Sequence, residues 1–283
     1  MRNSKNSKRA TAMSLASSLV VAGLMSACGG GGGASDAVAH DQASPAVPAT
    51  PNPPVVSGPS AEGIWQGSMS LGWDTTALVL NSGQVYVIYS KGGVIQDMVD
   101  GTTTVNAGSL SSTNALDFTP LPLTRASATI SATYSAQQSL NGTVTQTSGE
   151  FSHTDTFATT YQAAYDTTPT LTSLAGSYSG SGATRSGTGS LSLTVDATGQ
   201  VSGTLSAGAD VCTLAGSISA SGNGKAIQGA RLNLSGTACS LNGSAVEGAV
   251  ALLPASAGTG STLYLSALLL DRSNGVVAQL NKL

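Results

Sequence analysis

The residues with the clearest potential for chemistry are a histidine and an aspartate two positions apart, His153 and Asp155. Residues two apart on a strand share a face, so the imidazole and the carboxylate can pair there. Ser152 and Thr154 point to the opposite face, which places their hydroxyls out of reach of that imidazole and excludes a serine-type triad built from these neighbours. We therefore expect a solvent-facing His–Asp pair and no catalytic site.

Two cysteines, Cys212 and Cys239, lie near the ends of predicted strands in the C-terminal half of the chain. Without a nearby histidine they cannot form a zinc site. In an oxidising compartment such a pair forms a disulfide, which would stabilise the fold by roughly 3–4 kcal/mol for a loop of this length. The alternative is a pair of small buried thiols.

The other polar residues offer no recognisable cofactor or metal site. The carboxylates are isolated and mostly in turn-like segments, as at Asp100 and Asp196, which fits turn chemistry better than acid–base catalysis. Residues 196–199 (DATG) lack the alternating oxygen ligands of a calcium loop, and no glycine motif stands in a strand-to-helix setting. His40 is expected to be a solvated residue. We expect no metal, no cofactor and no enzymatic activity.

Period-2 alternation of apolar residues predicts an all-β fold. Leu191, Leu193 and Val195 alternate with polar residues, and turn signals such as Asn-Gly and Asp-Gly at 141–142, 242–243 and 100–101 separate the apolar segments. Residues 84–89 (QVYVIY) are apolar on both faces, so we expect this strand to be covered twice, with one side against the other half or a partner. A short helical turn is predicted at 171–175, capped by Thr170 and ended by Gly176.

Composition and charge exclude several classes of protein. Charged residues make up 9% of the chain and aromatic residues 4%, the latter too few for the aromatic girdles of a transmembrane barrel. Four of the eleven basic residues precede residue 28, and all fourteen acidic residues follow it, so the remainder carries 7 basic and 14 acidic residues, a net charge of −7. A chain of this charge offers no footprint for nucleic acid.

The first 27 residues are typical of a secretory signal. Residues 1–9 are basic and residues 10–24 are apolar, a stretch too short and too rich in Ser and Ala for a comfortable membrane span. Residues 25–28 (MSAC) resemble the lipobox of bacterial lipoproteins, with Met25 where that family prefers Leu. The resemblance implies a diacylglycerol thioether and an acylated (palmitate-type) amino terminus on Cys28, and, with Gly29 rather than Asp next, sorting to the outer membrane. The alternative is a buried Cys28 in an uncleaved helix.

Residues 28–60 comprise the cysteine that we expect to be lipidated and the Gly- and Pro-rich tether that follows it. Three pairs of similar segments then occur in the same order, which indicates an internal repeat with units at 61–168 and 169–283. These pairs are 63–68 (GIWQGS) with 176–181 (GSYSGS), 80–85 (LNSGQV) with 195–201 (VDATGQV), and 139–143 (SLNGT) with 240–244 (SLNGS).

About eight strand-like segments can be counted in each unit, and eight antiparallel strands can close into a small barrel or form a flattened sandwich. The Gly-x-Trp ending at Trp65 resembles that of lipocalin-type barrels, in which the aromatic ring plugs the barrel floor. The resemblance places Tyr178 in the same role in the second unit. A plain core tryptophan is the alternative.

We expect from these features an envelope-anchored lipoprotein of the outer membrane that presents β domains on a flexible tether for binding or structural contacts. Its partners would be the membrane, through the N-terminal lipid, and an unidentified protein. A lipocalin-like carrier of a small apolar ligand is the alternative, and a hydrolase is a third possibility. The sequence does not distinguish a periplasmic from a surface-exposed position.

Overall fold

The computed structural model describes residues 60–119, 126–254 and 260–283. The predicted signal peptide (1–27), Cys28, His40 and nearly all of the tether lie outside these residues. Within the described ranges, no helix has the length and apolar character needed to cross a membrane.

The first unit is an antiparallel barrel. Its strands are β1 (Gly63–Met69), β2 (Asp74–Val79), β3 (Gln84–Lys91), β4 (Val94–Thr102), β5 (Thr104–Asn106), β6 (Ser109–Asp117), β7 (Ser127–Ser135), β8 (Ser139–Ser148) and β9 (Phe151–Tyr161). They are ordered β4-β3-β2-β1-β9-β8-β7-β6-β5 in one sheet, which closes where β4 pairs with β6. Eight strands therefore complete the barrel, and the short β5 pairs with β6 beside it.

The second unit is a closed eight-stranded barrel. Its strands run in simple meander order and consist of β10 (Gly176–Thr184), β11 (Gly187–Val195), β12 (Gln200–Ala207), β13 (Asp210–Ser219), β14 (Ile227–Ala238), β15 (Ser244–Leu253), β16 (Thr262–Leu268) and β17 (Gly275–Lys282). β10 pairs with β17 to close the ring. The prediction of two tandem antiparallel units of eight strands is confirmed, and both are barrels, not sandwiches.

The alternation found in the sequence fills each barrel. Leu191, Leu193 and Val195 face the interior of the second barrel, where they belong to a buried apolar cluster. The first barrel is filled in the same way by a cluster that includes Trp65, Val87 and Val99. Burial on one strand face explains the period of two.

A third apolar cluster joins the outer faces of the two barrels. It contains Ile64, Tyr86 and Ile88 from the first barrel and Tyr264 and Val277 from the second. The predicted double coverage of residues 84–89 is thus confirmed, because Val85, Val87 and Tyr89 face inward while Tyr86 and Ile88 meet the second barrel.

Polar contacts reinforce this junction. The guanidinium of Arg272 donates to a carboxylate oxygen of Asp100 at 2.5 Å and to the carbonyl of the same residue at 2.7 Å. The Ser181 hydroxyl accepts the Ile95 backbone N–H at 3.0 Å. Since Asp100 is buried in β4, its predicted role as a turn residue is wrong.

Between the barrels the chain forms a 3₁₀ turn, Ala163–Asp166, and one helical turn, α1 (Leu171–Leu174). The Thr170 side chain accepts the N–H of Ser173 at 3.1 Å, so the predicted N-cap is confirmed. Gly176 then begins β10.

The Asn-Gly pair at 141–142 does not form the predicted turn. It lies within β8, where Gly142 pairs with Ala132. A Cβ at Gly142 would collide with the carbonyl oxygen of Ser131, so this glycine allows close approach of two strands and does not supply turn geometry. The third pair of similar segments is therefore not structurally equivalent, because 139–143 begins a strand, whereas 240–243 forms the turn before β15.

Cys212 and Cys239 form a disulfide across 27 positions of sequence, as the sequence predicts. Close to it, the carboxylate of Asp210 accepts the Ser240 N–H at 2.7 Å and the Ser240 hydroxyl at 2.9 Å. The covalent link and these hydrogen bonds together fix the β14–β15 turn to the start of β13.

Candidate functional site

The polar residues of interest lie inside one end of the first barrel, which we call the upper end. It carries the β1–β2, β3–β4 and β8–β9 turns. On several strands, the inward-facing residue closest to the upper end is polar. The next inward-facing residue on the same strand, two positions deeper in the barrel, is apolar. These polar residues are Thr75, Tyr89, Asp97, Asp117, Gln146 and Asp155. We refer to this set as the acidic mouth.

Two of the carboxyl groups in the acidic mouth are in direct contact. Asp97 and Asp117 hydrogen-bond to each other through their side chains. Asp97 also accepts the Met98 N–H at 2.7 Å and the amide of Gln146 at 3.0 Å. Asp117 accepts both the N–H and the hydroxyl of Thr119 at 2.7 Å. Such contact between two carboxyl groups requires that one of them hold a proton.

Burial raises the pKa of Asp97 well above its ordinary value, and the neighbouring charge of Asp117 raises it further. The N–H of Met98 and the amide of Gln146 act in the opposite direction but do not compensate. We therefore expect Asp97 to be the main site of the proton that the pair shares. A protonated carboxyl that faces a carboxylate can exchange a proton with an incoming group.

The third carboxyl, Asp155, connects the acidic mouth to the surface. Its side chain accepts the Ser70 hydroxyl at 2.8 Å and lies 3.0 Å from Nε2 of His153. The His153 side chain is 63% exposed, but Asp155 is buried. The prediction of a solvent-facing pair is thus correct for His153 and wrong for Asp155. Both residues are on the inward face of β9, but the rim of the barrel lies between them, so His153 extends into solvent and Asp155 lies inside.

This arrangement lacks the order of groups that a catalytic triad requires. In a triad the imidazole lies between hydroxyl and carboxylate, whereas here the carboxylate of Asp155 lies between Ser70 and His153. Thr154 points away from the imidazole and bonds to Thr145 at 2.8 Å, as the strand geometry predicts.

Two hydroxyl groups in the acidic mouth are buried without a hydrogen-bond partner, those of Thr75 and Tyr89. Burial raises the pKa of Tyr89 well above its ordinary value, and the nearby charges of Asp97, Asp155 and Asp117 raise it further. Its hydroxyl therefore lies within electrostatic range of all three carboxyl groups. A buried polar group with no partner is uncommon in a stable fold.

Exposed apolar side chains surround this polar interior. Leu71 in the β1–β2 turn and Val94 at the start of β4 are each 47% exposed, and Phe151 at the start of β9 is 85% exposed. Leu71 lies in a turn, and Val94 and Phe151 directly follow turns, at the same end of the barrel. We call these three residues the apolar rim. Apolar side chains around a polar interior are typical of a ligand-binding surface.

The two aromatic residues predicted to plug the barrel floors, Trp65 and Tyr178, are not part of the acidic mouth. Trp65 is fully buried near the start of β1, and its Nε1–H donates to the carbonyl of Ala61 at 3.1 Å. Tyr178 occupies the corresponding place in β10 and donates its hydroxyl to the carbonyl of Leu174 at 2.5 Å. Each aromatic residue thus bonds to the carbonyl four residues before it, a shared detail that favours the duplication.

The interior of the second barrel has little free volume. A cavity of about 10 Å³ lies among its apolar side chains, including Leu193, Leu232 and Leu265. Ligand sites for small molecules typically measure about 300–1,000 Å³. This cavity is too small for the apolar ligand of a lipocalin-like carrier.

Among the residues that the structure describes, no group of three or more His, Cys, Asp or Glu side chains is placed to hold a metal ion. The sequence contains one weak signal for the acidic mouth. Asp97, Asp117 and Asp155 each stand two positions from an apolar residue that faces inward, namely Val99, Ala115 and Phe157. Only the closed barrel brings the three strands together.

No protein-family model matches the chain, and no curated protein matches its sequence. Among solved structures, the chain is similar to a putative outer membrane protein of Bacteroides fragilis, with 14% identity and a TM-score of 0.25 over 78% of this chain and 96% of that chain. A TM-score this low is no basis for assigning a fold or a function.

Proposed function

We propose that the protein is a non-enzymatic binding lipoprotein of the cell envelope, anchored in the outer membrane by an acylated Cys28. The observation that carries the binding role is the acidic mouth with its two unpartnered hydroxyls. The second barrel is built from the same meander, and its largely apolar interior carries the polar side chains of Thr184, Asp210 and Gln228 near its ends. A barrel of this kind therefore does not require a pair of carboxyl groups in contact. Buried polar groups that weaken a fold are commonly retained for function.

The anchoring proposal rests on residues 1–28. The basic segment, the apolar segment and the MSAC sequence, with Met25 in place of the preferred Leu, resemble those of exported lipoproteins. The Gly- and Pro-rich tether that follows would let the two joined barrels approach a partner in several orientations.

Metabolic labelling with a palmitate analogue tests the anchor. We expect label on the wild type and none on the Cys28→Ala variant. Met25→Leu is the matched control, because it brings the segment closer to the lipobox pattern and should retain the label. An unlabelled wild type, or label that persists in the Cys28→Ala variant, would contradict the anchor.

Protease treatment of intact cells tests which face the barrels occupy. Cleavage of the tether by protease added to intact cells would indicate that the barrels are exposed at the cell surface. Cleavage that occurs only after the outer membrane has been permeabilised would indicate that they lie in the periplasm. Either result is compatible with a binding protein and determines which partners are within reach.

The non-enzymatic part of the proposal rests on the order of Ser70, Asp155 and His153, which does not support acyl transfer. An ester-hydrolysis assay of the wild type beside a His153→Ala variant tests it. Turnover in the wild type that is lost in the variant would contradict the proposal.

A further inference from the structure

The acidic mouth contains more acceptors than donors. Three carboxyl groups converge on the upper interior of the first barrel, and the nearby amide of Gln146 already donates to Asp97. The hydroxyls of Tyr89 and Thr75 are unpartnered, and each can donate one hydrogen bond as well as accept others. The negative charge and the surplus of acceptor oxygens favour, as the missing complement, a donor group that carries positive charge.

The carboxyl groups are buried just below the upper opening of the barrel, and each residue keeps a small exposed fraction. Asp97 is 8% exposed, Asp117 7% and Asp155 6%. His153 and Ser70 are exposed beside Asp155, so a group that approaches from this side meets the Asp155 carboxylate first.

The size of the barrel selects among cationic groups. The interior of an eight-stranded barrel is just wide enough for its own side chains. A primary ammonium is compact and has three donors on a thin aliphatic stem, whereas a guanidinium is planar and wider. Lysine buries its methylene stem against apolar surface while its ammonium finds polar partners. Leu71, Val94 and Phe151 supply such an apolar surface around the opening.

We propose that the acidic mouth of the first barrel receives the primary ammonium of a lysine side chain from a partner polypeptide. The apolar rim contacts the methylene stem, and the ammonium is held by Asp155, by the Asp97–Asp117 pair and by the hydroxyl of Tyr89. This proposal rests on the function as a binding protein and names the chemistry of the partner. The excess of acidic residues beyond residue 28 assists the approach of a basic partner.

The test is a titration of the purified protein at low ionic strength with a short lysine peptide, acetylated at its N-terminus and amidated at its C-terminus. Binding is followed by calorimetry and by ¹H–¹⁵N chemical shifts. We expect saturable binding with shifts at Ser70, Tyr89 and Asp155, and no saturation with the same peptide in which norleucine replaces lysine. Potassium chloride at the same concentration should not reproduce the shifts.

Variants locate the site. Asp155→Asn should weaken binding of the lysine peptide about tenfold or more, because a charge-assisted hydrogen bond is lost. Glu150→Gln is the matched control, since it removes one exposed carboxylate from the β8–β9 turn at the same end of the barrel and should leave affinity unchanged. Tyr89→Phe removes a hydroxyl that has no partner in the fold, so it should fold normally and bind more weakly.

Equal binding of the lysine and norleucine peptides would overturn the proposal, as would equal effects of Asp155→Asn and Glu150→Gln. Binding of free n-butylamine as tight as that of the peptide would overturn the commitment to a polypeptide. These outcomes are independent of the palmitate result. A labelled Cys28 with no lysine binding would refute this inference alone.

Discussion

Replacing Asp97 with Asn should stabilise the protein at neutral pH. Burial and the neighbouring charge of Asp117 raise the pKa of Asp97 in the folded state above its ordinary value of 3.8. The folded protein then binds more protons than the unfolded chain, so the free energy of unfolding falls as pH rises from the unfolded pKa to the folded pKa. Below the unfolded pKa the side chain is protonated in both states, and there is no penalty.

Asparagine reproduces the protonated carboxyl without being able to ionise. Its carbonyl can accept the Met98 N–H, its amide can donate to Asp117, and the Gln146 amide has to turn so that its oxygen faces the new NH2 group. The stability difference between Asp97→Asn and wild type should therefore grow by about 1.4 kcal/mol per pH unit above the unfolded pKa, until Asp97 ionises in the folded state. For a chain of this size, each kcal/mol corresponds to a Tm change of roughly 2–4 °C.

Thermal unfolding followed by circular dichroism between pH 3.5 and pH 8 measures this difference. Asp196→Asn is the control, because we expect it to change the Tm at neutral pH in the opposite direction. Hydrogen bonds from the Thr198 hydroxyl and from the Gln200 N–H hold the pKa of Asp196 below its ordinary value. Its contribution to stability is present above the unfolded pKa and is lost as pH falls through the folded pKa, so this variant should have the lower Tm at neutral pH and match wild type in acid.

Parallel Tm–pH curves for wild type and Asp97→Asn would refute the reasoning. So would a lower Tm for the variant at neutral pH, since it would mean that Asp97 is ionised and stabilising in the folded protein.

Three further predictions concern the rest of the fold. Reduction of the Cys212–Cys239 disulfide should lower the free energy of unfolding by about 3–4 kcal/mol from loop entropy, measured by urea unfolding with and without reductant; an unchanged midpoint would contradict this. Arg272→Met should cost about 3–5 kcal/mol, because it leaves a buried carboxylate of β4 without its guanidinium, whereas Arg272→Lys should cost less. Trp65→Phe and Tyr178→Phe each remove one hydrogen bond to a backbone carbonyl, so each should lower the free energy of unfolding by about 0.5–1.5 kcal/mol. Lost packing adds to this cost and is larger for the tryptophan. If neither variant lowers the free energy of unfolding, these bonds do not stabilise the barrels.

The barrel architecture could be predicted because it depends on a local pattern. In residues 191–195 every second side chain is apolar, and one strand face is buried, so a period of two is sufficient. The double coverage of residues 84–89 could be predicted for the same reason, since both faces are apolar and both must leave water.

The acidic mouth could not be predicted, because it depends on which strands become neighbours. Asp97 and Asp117 are twenty positions apart in sequence and meet through the pairing of β4 with β6. Local residue preferences also predict the wrong location for Asp100 and Gly142, which lie in strands and not in turns. Both are turn-forming residues by type, but tertiary packing places the first beside Arg272 and the second against β7.

The closure of the first barrel has a consequence for its motions. β4 and β6 pair at Val99–Asp117 and Asp100–Leu116, whereas β8 and β9 pair along their whole length. A strand pair with so few shared bonds separates at a low free energy, so the amide protons that bond between β4 and β6 should exchange with solvent sooner than those that bond between β8 and β9. Such a parting would separate Asp97 from Asp117, and the first barrel would then lose a proton to solvent while remaining otherwise folded.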